Sequence, residues 1–475
     1  MRIFSLERRK TIFIIILVLL SILQMGILWT GKNPGVPFLF PTQKLWSSVD
    51  LPDINDVKGE YLKPKKITVS DGSGILYWSL NTSDNLSRAI WSDFNKSYFR
   101  QILEQKPIEG AKSYEQDWHT LIKMKSIILE FENPVSTEII SWTTDYKSLF
   151  TMPLKQIYKI AIFPAESINN NENTLYVYDG ETVYKYVVKT EQGNMKKDDY
   201  ISMINGIHKN EASIPLNRLA YSYPSVKNHE LIVSLDVKSE RKIWDLLVKT
   251  PDEIILNRDN LDNIETYLLG DIYRGSMVTT FKDDSTSIIC SDTEQVLRYY
   301  KNGFLDYQYR NRTLGEKGRI SDAFEKALAF IEHRRSLVEG VEIILNSMVL
   351  EDKDENYVFT FDYVIDGMEV KIISQQDEAV RPAITIVANS DRVVDVKWYI
   401  KTFSNNDYYN YYSLYFFDIF DNKMIKDYPE PLHNLNIYDI SIDYICPENS
   451  MRAEPYWFID TESQIIHLRM QGKES

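Results

Sequence analysis

YVFTFDYVIDGMEVKII, residues 357–373, decides the fold of this 475-residue chain. Tyr357, Phe359, Phe361 and Tyr363 alternate with smaller or polar residues, the period of a strand with one face in a core. Asp366-Gly367 is a two-residue hairpin turn, and Met368 to Ile373 returns antiparallel. The residues before this hairpin change period. Phe324, Ala327, Leu328, Ile331 and Val338 hold one helical face, Asp322 with Glu325 reads as a capping box, and Gly340 closes the helix. After it, Ala383 to Ala388, a turn at 389–391 and Arg392 to Phe403 repeat the hairpin plan. Tyr456 to Ile459 and Gln464 to Met470 add a last hairpin. One helix on a meander of antiparallel strands is an α+β unit, placed at 313–475.

Two further units are expected upstream, since the chain exceeds what one core usually holds. Residues 67–190 read as a strand from Ile67 to Leu80, a helix from Asn85 to Leu103, a strand from Ser126 to Phe131, and a hairpin across Asp179-Gly180. The polar stretch Thr190 to Asp199 marks the end of that unit. Residues 191–312 read as a strand at Leu231 to Val237, a short helix at Glu240 to Val248, and a hairpin of Met277 to Phe281 with Ser287 to Cys290. The last two units are expected to be structural repeats of one another.

An apolar run unbroken by charge extends from Ile12 to Trp29, directly behind Arg8, Arg9 and Lys10. At about 1.5 Å per residue it comes close to the roughly 30 Å core of a bilayer. The expectation is a transmembrane helix at 12–30, a cytoplasmic tip at 1–11 and a stalk at 31–66 broken by five prolines. Basic residues at the tip orient the N-terminus inside and the bulk of the chain outside, at the cell membrane. A cleaved signal peptide is the competing reading, but no small-residue cleavage site follows the run. Leu17, Ser21, Gln24 and Leu28 share a helical face, and a polar amide in hydrocarbon gains by finding a partner on a neighbouring helix. Gln24 bonding its own backbone is the plainer alternative.

Formal charge is −14, from 54 basic against 68 acidic residues. Without Arg2, Glu7, Arg8, Arg9 and Lys10 the outer part carries −17, which disfavours nucleic acid and anionic headgroups as ligands. With 44% hydrophobic and 13% aromatic residues, disorder is not the reading. Cys290 and Cys446 are the two cysteines, and pairing or two buried thiols both fit.

Motifs for catalysis are missing. The six histidines are scattered singly, with no HExxH, and neither a G-x-S-x-G elbow nor a phosphate loop occurs. Asp283-Asp284 and Asp352 with Asp354 sit at expected turns and lack the pattern of a calcium loop. Tyr408, Tyr409, Tyr411, Tyr412 and Tyr415 form an aromatic-rich run ending at Phe417, a core strand or an external interface for a partner or sugar rings.

The basic tip, the single N-terminal helix, the three exported units, the segments Tyr357 to Phe361, Asp366-Gly367, Ala383 to Val387 and Arg392 to Val394, and the ending at Glu454 to Ile459 together resemble the YycH family. That resemblance implies a regulator without catalysis or cofactor. Its membrane helix, with that of a YycI-type sibling, would contact a WalK/YycG-type sensor histidine kinase, and its external domains would be α+β units partly alike in the two siblings. No family ligand residue carries over. The alternative is an anchored cell-envelope carbohydrate-binding protein or peptidoglycan hydrolase, which a close cleft with two acidic groups would favour.

Overall fold

Helix Ile320–Glu332 lies on the strand Asn356–Ile365 as the alternation requires. Phe359, Phe361 and Tyr363 are fully buried, and so are Ala323, Phe324, Ala327, Leu328 and Ile331 on the helix. Small residues at 323 and 327 let the helix approach the sheet, with the Phe324 ring 5.3 Å from Phe359 and 6.2 Å from Phe361. This computed structural model describes residues 54–475 except 83, 109–114, 147–153, 211–212, 219–230, 237, 252–267, 270–277, 282–286, 312–317, 352–355, 375–378, 421–435, 463, 471 and 474–475. The expected transmembrane segment with Leu17, Ser21, Gln24 and Leu28 lies outside the described residues, as do Asp283-Asp284 and Asp352 with Asp354. Among the described residues, no helix is long and apolar enough to cross a membrane.

The architecture is mixed α+β and mostly sheet. The first sheet contains β1 Lys66–Asp71, β2 Leu76–Leu80, β3 Lys125–Ser136, β4 Gln156–Phe163, β5 Glu172–Tyr178, β6 Val183–Lys189, β7 Ser213–Arg218 and β8 Ile232–Val233. Its order is β6-β5-β4-β3-β1-β2-β7-β8, antiparallel throughout. Residues 67–80 are thus a hairpin and not one strand, because Gly72 and Gly74 take positive φ and Asp71 accepts from the Ser73 amide at 2.8 Å. The 85–103 helix forms with a π turn at Phe94–Tyr98, between Asn85–Asp93 and Phe99–Glu104. That turn lets Phe94, Tyr98 and Phe99 all reach the core. The sheet does not end at Thr190 to Asp199. Helix Lys197–Gly206 buries Tyr200 and Ile204, and β7 pairs with β2 beyond it.

Asp93 is the buried acid of this unit, accepting from the Tyr200 hydroxyl at 2.7 Å and the Met195 amide at 3.0 Å. Burial pushes its carboxyl up to about 6 against those hydrogen bonds. Between its ordinary 3.8 and about 6, the folded chain holds more proton than the unfolded one, so this group's contribution falls as pH rises through that window. Asp93→Asn is expected to flatten that fall, gaining on the order of 2 kcal/mol at neutral pH over the natural chain relative to acid. Denaturant midpoints of both chains across the window check it, and parallel curves would refute it.

The second sheet contains β9 Glu240–Lys249, β10 Val278–Phe281, β11 Ser287–Ser291, β12 Gln295–Tyr300, β13 Phe304–Tyr309, β14 Glu342–Glu351, β15 Asn356–Ile365, β16 Met368–Ile373, β17 Val380–Arg381, β18 Ile384–Ala388, β19 Val393–Tyr399, β20 Thr402–Ser413, β21 Ile437–Pro447, β22 Arg452–Thr461, β23 Ile465–Arg469 and β24 Gly472–Lys473. Its order is β10-β11-β12-β13-β19-β18-β15-β16-β21-β22-β9-β20-β24, with β14 on β15, β17 on β16 and β23 on β22. Among the described residues the strands fall into two sheets, where the sequence reads as three α+β units. β10–β13 adjoin β19 at one end of the sheet while β9 lies between β22 and β20, so strands of 240–309 are interleaved with those of 342–473, and with the expected bounds the two stretches differ in strand order, against the expected repeat. Residues 240–248 form β9, not a helix. An irregularity opposite Asn405–Tyr409 puts Ile243 and Leu246 both inside, and that three-residue step imitates helical spacing. The helix at 320 starts ahead of Asp322, whose carboxylate pairs with Arg319 at 2.7 Å and does not cap; Gly340, at φ +78°, does close the turn after Val338. Cys290 and Cys446 are both buried and form no disulfide with one another.

One apolar cluster runs through both sheets. The Trp142 ring from the first unit meets Phe324 at 5.8 Å, and the Tyr61 hydroxyl donates to Glu332. At Asp366-Gly367, positive φ at both residues makes the expected turn, and the Asn81 and Arg241 side chains each donate to the Asp366 carbonyl at 2.9 Å. A Cβ on Gly367 would lie 2.1 Å from Asn81 Oδ1. Gly367→Ala should cost roughly 1–3 kcal/mol, read as a lowered urea midpoint; an unchanged midpoint would contradict it.

Candidate functional site

Where the first sheet meets the outer face of the second, charged side chains gather in a cleft of about 570 Å³ and in an adjoining recess of about 280 Å³ that holds Asp362 and Lys371. Strand parity puts them there. Phe359, Phe361 and Tyr363 face the helix, so Asp362 faces away; Glu369 with Lys371, and Asp439 with Ser441 and Asp443, recur two apart on β16 and β21. β16 and β21 run parallel, Val370 opposite Tyr444, which brings Glu369 beside Asp443. The first unit contributes Lys65, ahead of β1, and Glu132 of β3.

Asp362, Glu369, Lys371, Ser441, Asp443, Lys65 and Glu132 are each tied to another group. The Glu369 amide donates to Asp443 Oδ1 at 3.1 Å, and Ser441 Oγ donates to Oδ2 at 2.6 Å. Lys371 donates to Asp362 Oδ2 at 3.2 Å and pairs with Glu369 Oε2; Lys65 pairs with Glu132. Asp362 also takes the Ala383 amide at 3.1 Å. Asp362, Glu369 and Asp443 are 1%, 3% and 4% exposed, so the ion pairs are screened little by water.

Burial alone would raise the Glu369 carboxyl, but Lys371 and Lys65 outweigh it and hold the group at about 2. Asp443 goes the other way: burial raises it, and neighbouring Glu369 raises it further. Glu132 is also raised by burial, which Lys65 only partly offsets. Both lysines lose by burial and gain more from the carboxylates, ending above their usual range. Four carboxylates, Glu132, Asp362, Glu369 and Asp443, thus share two lysines, and the site holds excess negative charge.

Sequence reasoning singled out none of these residues. The signal was charge at period two inside strands whose other face is core, at Glu369 and Lys371 and again at Asp439 and Asp443. The tyrosine run is placed on β20 and beyond, without a common face. Tyr412 is 4% exposed and donates to Asp245 Oδ1 at 3.1 Å, whereas Tyr411 is 40% exposed. Tyr409 packs on Trp244 at 5.0 Å with Lys242 over its ring, and Tyr415 meets Phe417 at 5.4 Å. The backbone of Tyr408 follows the strand.

No family model matches the chain, and no curated protein matches it. Among solved structures, the crystal structure of YycH from Bacillus subtilis superposes with a TM-score of 0.56, covering 86% of this chain and 96% of that one. The chain has the YycH fold. At 12% identity the likeness to YycH is one of fold, and the cleft residues are argued from this chain alone. An uncharacterized protein from Eubacterium rectale covers 53% of this chain and 92% of its own at 10% identity and a TM-score of 0.28, too low to argue from. The YycH likeness spans both sheets, since its share of this chain exceeds what either holds.

Proposed function

We propose that this chain is a membrane-anchored, non-catalytic regulator of a cell-wall-sensing two-component histidine kinase. Residues 12–30 cross the membrane with the N-terminus inside, and the two sheets lie outside. The helix contacts the membrane helices of a WalK/YycG-type kinase together with a YycI-type sibling. The observation that carries this reading is the YycH fold over 86% of the chain. A helix that packs better on one arrangement of the kinase shifts its equilibrium by the difference, typically about 1–3 kcal/mol. Interhelical polar contacts supply about 0.6–2 kcal/mol each, so Gln24 and Ser21 are enough to bias it.

Residues 1–40 are expected to associate with the kinase and sibling helices in an in-membrane interaction assay, and Gln24→Leu and Ser21→Leu to weaken that association. Removing both sheets while keeping residues 1–40 should preserve part of the effect on kinase output. Absence of association with either helix would detach the kinase role from this segment.

One observation favours the hydrolase alternative. Glu369 held low and Asp443 pushed up in one cleft is the split that an acid and a nucleophile show in glycoside hydrolysis. Against it, both carboxylates are at least nine-tenths buried and Glu369 is already paired with Lys371. Release of soluble sugar from purified peptidoglycan, abolished by Asp443→Asn, would establish the enzyme.

A further inference from the structure

The charge in the cleft is unbalanced in a way the fold does not repair. Lys371 reaches Glu369 through Oε2, whereas Glu369 Oε1 accepts no hydrogen bond from any described residue, in a side chain 4% exposed that lines the cleft. A buried carboxylate oxygen left in that state is costly, and native structures seldom tolerate it without an occupant. The surroundings add to the demand: seven carboxylates line the cleft, against five lysines when Lys371 and Lys159, which pair with Glu369 and Glu130 from outside it, are counted with Lys63, Lys65 and Lys66. An adjoining recess of about 280 Å³ shares Lys65, Glu132, Asp439 and Asp443 with it, so the space continues past Lys371. The volume lies within the roughly 300–1,000 Å³ of ligand sites.

We propose that this cleft binds an organic cation, an alkylammonium or guanidinium group, which donates to Glu369 Oε1 and sits beside Asp443. A metal ion fits less well. No group of three or more His, Cys, Asp or Glu side chains among the described residues is arranged to hold one, and the Lys65 and Lys371 ammoniums stand among the carboxylates. A cation with N–H donors instead makes directed, charge-assisted hydrogen bonds at about 2.7–2.9 Å without displacing either lysine. The overall charge of −14 draws such a cation toward the protein. This site goes beyond the kinase reading and does not depend on it. The same chemistry comes from a free amine or guanidine or from a lysine or arginine side chain of another protein.

The test is calorimetric titration of the full chain in detergent with butylammonium, butylguanidinium and the blocked tripeptides Gly-Lys-Gly and Gly-Arg-Gly, at ionic strength matched with sodium chloride. Saturable binding is expected, weakened about thirtyfold or more by Glu369→Gln or Asp443→Asn. Saturation by the free cations assigns the site to a small ligand; saturation by the tripeptides alone assigns it to a protein side chain. Asp443→Asn leaves the Lys371 pairs intact and carries the test should Glu369→Gln not fold. Heats no different from sodium chloride for all four probes, or binding indifferent to both substitutions, would overturn the proposal.

Discussion

Lys371→Met lowers the unfolding free energy by about 3–5 kcal/mol, the cost of stranding a buried carboxylate. Lys371 is 13% exposed, and its loss leaves Asp362 and Glu369, 1% and 4% exposed at their side chains, without their cation. The effect has a pH signature. Glu369 sits at about 2 against an ordinary 4.5, so its stabilisation is present above 4.5 and is lost as pH falls toward 2. In the methionine variant that acid dependence shrinks, because the stronger of the two cations that hold the group down is gone and Lys65 alone remains. Adding Asp362→Asn to Lys371→Met should recover part of the loss. Urea titrations of the three chains measure all of this, and a loss under about 1 kcal/mol for Lys371→Met would show that water reaches these carboxylates.

Phe324→Ala is the second large effect, at about 3–5 kcal/mol. Phe324 is fully buried between Phe359 and Phe361 of the second sheet and Trp142 of the first unit. The cavity therefore opens at the junction of the two sheets as well as beneath one helix. Amide exchange should quicken in the helix carrying Trp142, Thr137–Thr143, along with helix Ile320–Glu332. Phe324→Leu keeps most of the volume and should cost under about 1.5 kcal/mol. Equal losses for alanine and leucine would mean that ring geometry, not volume, holds the site.

These two residues differ in how plainly the sequence announced them. Phe324 belongs to a helical stripe, and its partners Phe359 and Phe361 to a strand alternation ending in Asp366-Gly367; each signal lies within a dozen residues, so local period and turn chemistry reveal both. Lys371 and Glu369 lie in the returning strand of the same hairpin. Their alternation is equally local, but their meaning depends on β21, some seventy residues later, and on Lys65 and Glu132 far upstream. Pairing between distant strands leaves no mark in a local pattern, which is also why 240–309 read as a separate unit. β9 misled for a third reason: an irregularity in pairing reproduced the spacing of a helix. Leu17, Ser21, Gln24 and Leu28, proposed to face the kinase, stay a reading of the sequence, since they lie outside the described residues.

The pairing of β9 with β20 and β22 sets an order of events for the growing chain. The first sheet has all its strands by Val233 and can close early. β9 follows at once but must wait for residues 402–413 and 452–453 before either edge is covered, with an unpaired strand exposed meanwhile. Contacts over such separations form slowly. Chains stopped near residue 400 should keep a protease-resistant core ending close to Val233 and lose the rest to aggregation, so about the last sixth of the sequence governs how safely the whole is made.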